Sequence, residues 1–251
     1  MIPDDLRVAG FLDARRALSF LEELPAGQSW VGDLSASADP DQALLQAVRL
    51  READPGLVDA LSRDERARRR VCAILGGSQW LGDYVIADPA RAAAINEDPG
   101  DPRDVLFEAV GARALSSGAW VAAQEATADD LRAAYRRVLL HLAADDLTSG
   151  SPEEAMPSVG ARIADLVDAT RDAGLALARR DVDPEGTVPF AIIAMGKTGA
   201  RELNYISDVD VIYVAEAGED GDERSALEKA TRLASATASA CSGPGTQAPL
   251  W

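Results

Sequence analysis

The segment on which the fold depends, residues 195–211, reads MGKTGARELNYISDVDV. It follows a short apolar run rich in β-forming residues, VPFAIIAM at residues 188–195, and it leads into a second such run at residues 209–214. Both runs have the length of strands, and neither has the three- and four-residue periodicity of a helix. The segment therefore predicts a strand, a glycine-containing turn, a short helix and a second strand, in that order.

The predicted turn has the composition of a phosphate-binding loop. Gly196 and Gly199 let the backbone approach a phosphate closely, and free N–H groups at the start of the following helix can hold it. Lys197 and Arg201 add positive charge at the same place. The turn is not a P-loop, because that motif requires a glycine five residues before Gly196 and Ala191 stands there.

Two acidic residues, Asp208 and Asp210, stand at the predicted start of the second strand. Strand residues i and i+2 share a face, with Cα atoms about 6.6 Å apart, while Val209 and Val211 point to the opposite face. Two carboxylates about 4 Å apart repel each other by about 4 kcal/mol at an effective dielectric constant near 20. Hard cations such as Mg²⁺ take carboxylate oxygens and reverse the sign of that interaction. The pair therefore predicts a metal site beside the glycine turn.

The composition excludes several classes of protein. With a formal net charge of −17, the chain is a poor non-specific binder of nucleic acid, which requires clustered Lys and Arg. No apolar stretch reaches the about 18 residues of a membrane-spanning helix, and the first residues lack the basic region of a signal peptide. The only histidine, His141, lies in an apolar helical run, which excludes a His-based triad unless that residue serves. Cys72 and Cys241 lack metal-ligand spacing, so we expect two small apolar residues in a reducing cytoplasm.

The chain up to residue 182 has the pattern of a helical bundle, with apolar residues at three- and four-residue steps. Asp-Pro pairs mark helix starts, because the Asp oxygen accepts from unbonded N–H groups and Pro gives up an N–H without a partner. These pairs begin at Asp39, Asp54, Asp88 and Asp101. A polar Pro/Gly stretch at residues 181–186 ends the helical part. We therefore expect an α+β fold, with a helical domain over 1–182 and a strand-containing domain over 186–251.

The order of strand, glycine turn, short helix and acid pair before a second strand resembles that of the nucleotidyltransferase superfamily of DNA polymerase beta type. The segment is more closely similar to bifunctional glutamine synthetase adenylyltransferase/adenylyl-removing enzymes, whose halves carry a strip like Gly-Lys-Leu-Gly-Gly-Arg-Glu-Leu-Asn-Tyr-x-Ser-Asp-x-Asp. This chain differs from the family's strip at Thr198 and Ala200, where the strip has Leu and Gly. The matching positions are Gly196, Lys197, Gly199, Arg201, Glu202, Leu203, Asn204, Tyr205, Ser207, Asp208 and Asp210.

The resemblance implies a small mixed β-sheet with flanking helices over 186–251, as the first part of an adenylyl-removing domain in the N-terminal half of such an enzyme. It also implies two Mg²⁺ ions on Asp208, Asp210 and a third carboxylate expected beyond Trp251. Without that third ligand, we expect little or no turnover from this chain alone. The residues implied to bind ATP or ADP are Gly196, Lys197, Gly199, Arg201 and Ser207.

The reaction that the resemblance implies is removal of AMP from a tyrosine of adenylylated glutamine synthetase, with phosphate consumed and ADP released. The same bifunctional enzyme adenylylates glutamine synthetase with ATP in the cytoplasm and so regulates nitrogen assimilation. No nucleic acid or membrane partner is expected. One alternative is a related nucleotidyltransferase that acts on a small molecule or RNA, although the acidic charge argues against RNA. The other is a helical adaptor with a vestigial nucleotide site, whose helices could bind a PII-type regulator.

Within residues 196–210, which we call the strip, Arg201 and Ser207 each have two possible roles. Arg201 either assists phosphate binding or forms an ion pair with a nearby acid. Asn204 and Tyr205 are expected to brace the turn. Ser207 either orients the start of the strand or adds a hydroxyl ligand.

Overall fold

The computed structural model describes residues 3–216 and 223–250, and helices predominate within them. Short 3₁₀ turns lie at Gly27–Trp30 and Pro89–Ala92. The helices are α1 (Pro3–Val8), α2 (Ala14–Glu23), α3 (Val31–Ser35), α4 (Pro40–Ala53), α5 (Pro55–Arg63), α6 (Glu65–Gly77), α7 (Gln79–Ala87), α8 (Ala93–Asn96), α9 (Pro102–Ala109), α10 (Ala128–Leu147), α11 (Pro152–Val182), α12 (Gly196–Ala200) and α13 (Glu223–Ser242). The strands are β1 (Arg113–Ala114), β2 (Trp120–Val121), β3 (Phe190–Ala194) and β4 (Val211–Ala215).

The Asp-Pro pairs begin helices as the sequence predicts. The Asp39 carboxylate accepts from the Gln42 N–H at the start of α4, and Asp54 does the same for Leu57 at the start of α5. Asp101 accepts from two backbone N–H groups at the start of α9. Asp88 precedes a 3₁₀ turn and makes no such bond. Local cap chemistry therefore sets the beginnings of these helices.

The chain divides into two compact units, residues 1–98 with 140–155 and residues 99–139 with 156–251. The division predicted near residues 182–186 lies within the second unit, between the end of α11 and the beginning of β3. In the first unit, α1–α8 and the last turns of α10 enclose an apolar core that includes Trp30, Leu44, Ile74 and Leu140.

The second unit contains the predicted strands. β3 pairs with β4 in antiparallel register, from Phe190 opposite Ala215 to Ala194 opposite Val211. Helices α11 and α13 pack at one end of this hairpin around Ala178, Val188 and Leu233. A second small hairpin, β1 with β2, lies in the part that the sequence assigns to helices. The α+β class is thus confirmed, while the mixed nucleotidyltransferase sheet stays a prediction.

A buried carboxylate fixes the chain between α11 and β3. Asp183 is fully buried, and one of its oxygens accepts from the Arg179 guanidinium at 2.6 Å and from the Val188 N–H at 3.1 Å. The other oxygen accepts from the N–H and hydroxyl of Thr187. Burial raises the pKa of Asp183, but these hydrogen bonds and Arg179 outweigh it and hold the pKa below its ordinary value.

Further expectations concern the cysteines, the chain end and membrane spans. Cys72 and Cys241 are free and buried, as predicted, and burial raises the pKa of Cys241 to about 11. The alanine-rich sequence over residues 225–240 predicts a helix, and this segment lies within α13. The sequence of residues 248–251 predicts the beginning of a strand, but residues 248–250 have no strand structure and residue 251 lies outside the described residues. Among the described residues, no helix is both long and apolar enough to span a bilayer.

Candidate functional site

The candidate site lies in the connection between β3 and β4. The Met195 N–H donates to the Asp210 carbonyl at 2.9 Å, which continues the antiparallel ladder one step beyond the last strand pair. Residues 196–209 form the connection that leaves the hairpin after Met195 and returns to it at Asp210. The glycine turn and the second aspartate are therefore neighbours at the same end of the hairpin, as the sequence order predicts.

Each glycine of the turn has its own physical requirement. Gly196 has φ of +52°, a left-handed conformation that favours glycine, and a Cβ built on it would lie 3.4 Å from an Asp210 carboxylate oxygen. A Cβ on Gly199 would lie 2.6 Å from the Ala194 carbonyl oxygen, a distance that real Cβ atoms do not reach. Gly196 thus leaves space beside Asp210, whereas Gly199 lets α12 fold back against β3.

The two acids alternate with half-buried valines. Asp208 and Asp210 are exposed, while Val209 and Val211 are half-buried, which is the alternation expected of an extended segment. The prediction that the acids stand at the start of the second strand is wrong, because β4 begins at Val211 and both acids precede it. Neither carboxylate forms a salt bridge with any residue in the described ranges. Over the same ranges, no group of three or more His, Cys, Asp or Glu residues is placed to hold a metal ion. Both carboxylates are therefore exposed and have no counter-charge within the described residues.

The two basic residues of the strip differ in their surroundings. Lys197 is exposed, and its ammonium group makes no ion pair within 3–216 or 223–250. Arg201 makes two contacts with Asp165 of α11, at 2.6 and 2.8 Å, and this hydrogen-bonded pair raises the pKa of the guanidinium. Of the two interpretations left open for Arg201, the structure contains the ion pair.

Asn204 and Ser207 brace the outer part of the connection. The Ser207 hydroxyl donates to the Asn204 side-chain oxygen at 2.8 Å, and the same oxygen accepts from the Ile206 N–H at 3.1 Å. The Ser207 N–H donates to the Asn204 carbonyl at 3.3 Å. Because Ser207 directly precedes the acid pair, this turn orients the chain as it approaches β4.

Beneath the strip, a polar cavity of about 270 Å³ lies between α11 and the hairpin. Its polar lining consists of Asp168, Arg171, Asp172 and Thr198. Thr198 is buried here. It is one of the two positions at which this chain differs from the family's strip. Burial, followed by the negative charges of Asp165 and Asp172, raises the pKa of Asp168, and Arg201 opposes that rise. The strip therefore rests on a charged helix face.

Sequence reasoning missed Arg171, which contacts the segment of the acid pair directly. Its guanidinium donates to the Val209 carbonyl at 3.3 Å and to the Tyr213 hydroxyl at 2.9 Å. A signal for it exists, because Val167, Arg171, Gly174 and Ala178 follow four- and three-residue steps along one buried face of α11. A charged residue within such a stripe indicates a specific polar partner.

The fold and site together define a class, a mostly helical protein whose small antiparallel hairpin carries a glycine turn next to an exposed acid pair. Comparison with known proteins identifies the family of the chain. The family model for glutamate-ammonia ligase adenylyltransferase matches residues 68–250. The chain belongs to this family, which confirms the family resemblance of the strip.

Relatives align along most of the chain. A bifunctional glutamine synthetase adenylyltransferase/adenylyl-removing enzyme of Leifsonia xyli is 37% identical, with 97% of this chain and 26% of the relative covered. A protein of the same name from Cutibacterium acnes is 40% identical, with 88% and 23% covered. The chain thus spans about a quarter of the length of these relatives. No solved structure matches it.

Proposed function

We propose that the strip of residues 196–210 is the metal- and nucleotide-binding part of an adenylyl-removing domain. In this reaction, phosphate attacks the phosphorus of AMP on a tyrosine of glutamine synthetase and releases ADP and the free tyrosine. The bifunctional name of the relatives supports the proposal, since it includes removal as well as transfer of an adenylyl group.

The observation that carries the proposal is the open acid pair beside a glycine. Asp208 and Asp210 are exposed and have no cationic partner in the described chain, and Gly196 leaves space against the Asp210 carboxylate. Carboxylate oxygens are the ligands that Mg²⁺ prefers, and Mg²⁺ completes its octahedron with water and substrate phosphate. The donor set and its accessibility therefore fit a magnesium site.

Three residues of the strip have a direct role in the proposed binding of metal and nucleotide. Asp208 and Asp210 hold Mg²⁺, which when bound supplies positive charge against the attacking and leaving oxygens of phosphoryl transfer. Two ions require a third carboxylate in addition to this pair. We assign Lys197 to a phosphate of ADP or ATP, and the exposure of both Lys197 and the neighbouring Gly196 supports this role.

Arg201 and Ser207 have less direct roles. Both terminal nitrogens of Arg201 contact Asp165, so phosphate binding by this guanidinium competes with the ion pair. Ser207 keeps the acid pair oriented through Asn204. The chain as a whole contributes to a larger enzyme that also transfers AMP from ATP to glutamine synthetase, with a PII-type regulator as a further proposed partner.

The test uses the full-length protein with adenylylated glutamine synthetase, phosphate and Mg²⁺. We expect Asp208→Asn and Asp210→Asn each to reduce ADP release about 10³-fold or more, because each removes a metal ligand and several kcal/mol of transition-state stabilisation. Asp59→Asn, which changes an exposed acid of the first unit, serves as the control and keeps the native rate. Native rates in both site variants would overturn the assignment.

Titration with Mg²⁺ and ADP separates the enzyme from a helical adaptor with a vestigial site. An enzyme binds ADP more tightly when Mg²⁺ is present, and Asp210→Asn removes that dependence. An adaptor shows no metal-dependent affinity for the nucleotide at all.

A further inference from the structure

Helix α11 contacts the strip at three points along its length, all within the second unit. Near the beginning of the helix, a Cβ on Gly160 would lie 3.3 Å from the Leu203 carbonyl oxygen, so the missing side chain permits a close approach. Five residues further along the helix, Asp165 forms an ion pair with Arg201. Further along still, Arg171 donates to Val209. The connection between β3 and β4 therefore packs against α11.

The third contact acts on the peptide between the two acids. The Val209 carbonyl belongs to the peptide group that joins Val209 to Asp210, and Arg171 holds it from the α11 side. The next carbonyl, that of Asp210 itself, accepts from the Met195 N–H on the β3 side. Both peptide groups flanking the Asp210 Cα atom are therefore fixed, and with them the direction of its Cα–Cβ bond.

The energetics of Arg171 favour a fixed arrangement. Arg171 is 7% exposed, and a buried guanidinium is stable only where its donors find acceptors. Its second partner, the Tyr213 hydroxyl at 2.9 Å, lies on β4 itself, so the guanidinium joins the strand to the segment before it. A lysine has no planar fork and cannot reproduce both bonds.

We propose that Arg171 is the positioning residue of the acid pair, which prearranges the Asp210 carboxylate for Mg²⁺ by holding the Val209 carbonyl. The inference rests on the proposed function for the role of the metal but not for the hold on the backbone. Groups that orient metal ligands without touching the metal typically change metal affinity by about 10- to 100-fold when removed.

Arg179 provides a matched control on the same helix. It is also a buried arginine, and it donates to the Val188 carbonyl at 3.1 Å as well as to Asp183, but it makes no contact with residues 196–210. Both Arg171→Met and Arg179→Met remove a buried guanidinium and lower the melting temperature. Only the first is expected to alter the acid pair.

The experiment compares the native full-length protein with Arg171→Met, Arg171→Lys, Arg179→Met and Asp210→Asn. Amide hydrogen exchange without metal is measured over residues 208–212, and Mg²⁺ affinity is measured by calorimetry with ADP present. For Arg171→Met we expect exchange at least about tenfold faster and Mg²⁺ affinity about tenfold weaker or more. Arg171→Lys should recover part of both, and Arg179→Met should leave both unchanged.

The outcomes separate this inference from the proposed function. Native exchange and native Mg²⁺ affinity in a folded Arg171→Met variant would overturn the positioning role, as would equal effects from Arg179→Met. If the native protein and Asp210→Asn bind Mg²⁺ equally, the proposed metal site fails, and the exchange result alone then decides whether Arg171 holds the segment.

Discussion

Aspartates at the two ends of the strand hairpin have opposite surroundings. Asp183, before β3, is fully buried and accepts four hydrogen bonds, one of them from Arg179. Asp208 and Asp210, before β4, are exposed and have no cationic partner in the ranges 3–216 and 223–250. The same side chain thus fixes the chain at one end and is left available for a ligand at the other. Surroundings, rather than residue type, distinguish a carboxylate that is committed to the fold from one that is open to solvent.

The largest effect that this comparison predicts is on folding. We expect Asp183→Asn to lower the free energy of unfolding by about 3–5 kcal/mol, because it leaves the buried Arg179 without its counter-charge. Asp210→Asn should change it by less than about 0.5 kcal/mol, as is usual for exposed sites. Urea denaturation measures both. Equal losses in the two variants would remove the distinction between the two ends.

A second effect depends on the ligand. If Asp208 and Asp210 bind Mg²⁺ with ADP, the free energy of unfolding rises by about 2.7 kcal/mol at a hundred times the dissociation constant. Thermal unfolding with and without Mg²⁺ measures this rise. Asp210→Asn should lose it, while Arg179→Met should keep it despite a lower starting stability. A rise that survives Asp210→Asn would place the metal elsewhere.

The pH dependence of stability is a third and smaller effect. The pKa of Asp183 lies below its unfolded value of about 3.9. Its contribution is therefore fully present above that value and is lost as the pH falls through the folded pKa. The difference in unfolding free energy between the native protein and Asp183→Asn should be constant above about pH 5 and shrink in more acidic solution. A difference that grows on acidification would contradict this sign.

The smallest effect concerns the exposed ion pair of the strip. Arg201 and Asp165 are each about half exposed, so water and salt screen the ion pair and its contribution to stability is small. We expect Arg201→Met to lower the free energy of unfolding only slightly, measured by urea denaturation, whereas Arg179→Met loses several times more. A loss as large as that of Arg179→Met would show that the strip depends on this pair for folding.

The sequence predicts those parts of the molecule that local chemistry determines. The caps at Asp39, Asp54 and Asp101, the two strands and the closeness of Gly196 to Asp210 follow from the order of residue types along the chain. The short β1–β2 hairpin does not, because strands of two residues show no alternation.

Contacts between distant residues lie beyond such reasoning. Asp165 meets Arg201 and Arg171 meets Val209 only because α11 packs under the connection, and a single sequence does not state which helix face does so. The reason for Gly199 is of the same kind, since it depends on the position of the Ala194 carbonyl. The metal-binding role of the acid pair remains a prediction from residue chemistry.

The bond between Met195 and Asp210 has a practical consequence. It closes residues 196–209 at their base, so the hairpin below does not depend on what the loop contains at its far tip. The entropy of closing a loop grows slowly with its length, which makes insertions there tolerable. Ile206, at the tip, is 91% exposed. A cysteine at that position would carry a fluorescent or spin label two residues from the acid pair without disturbing the core.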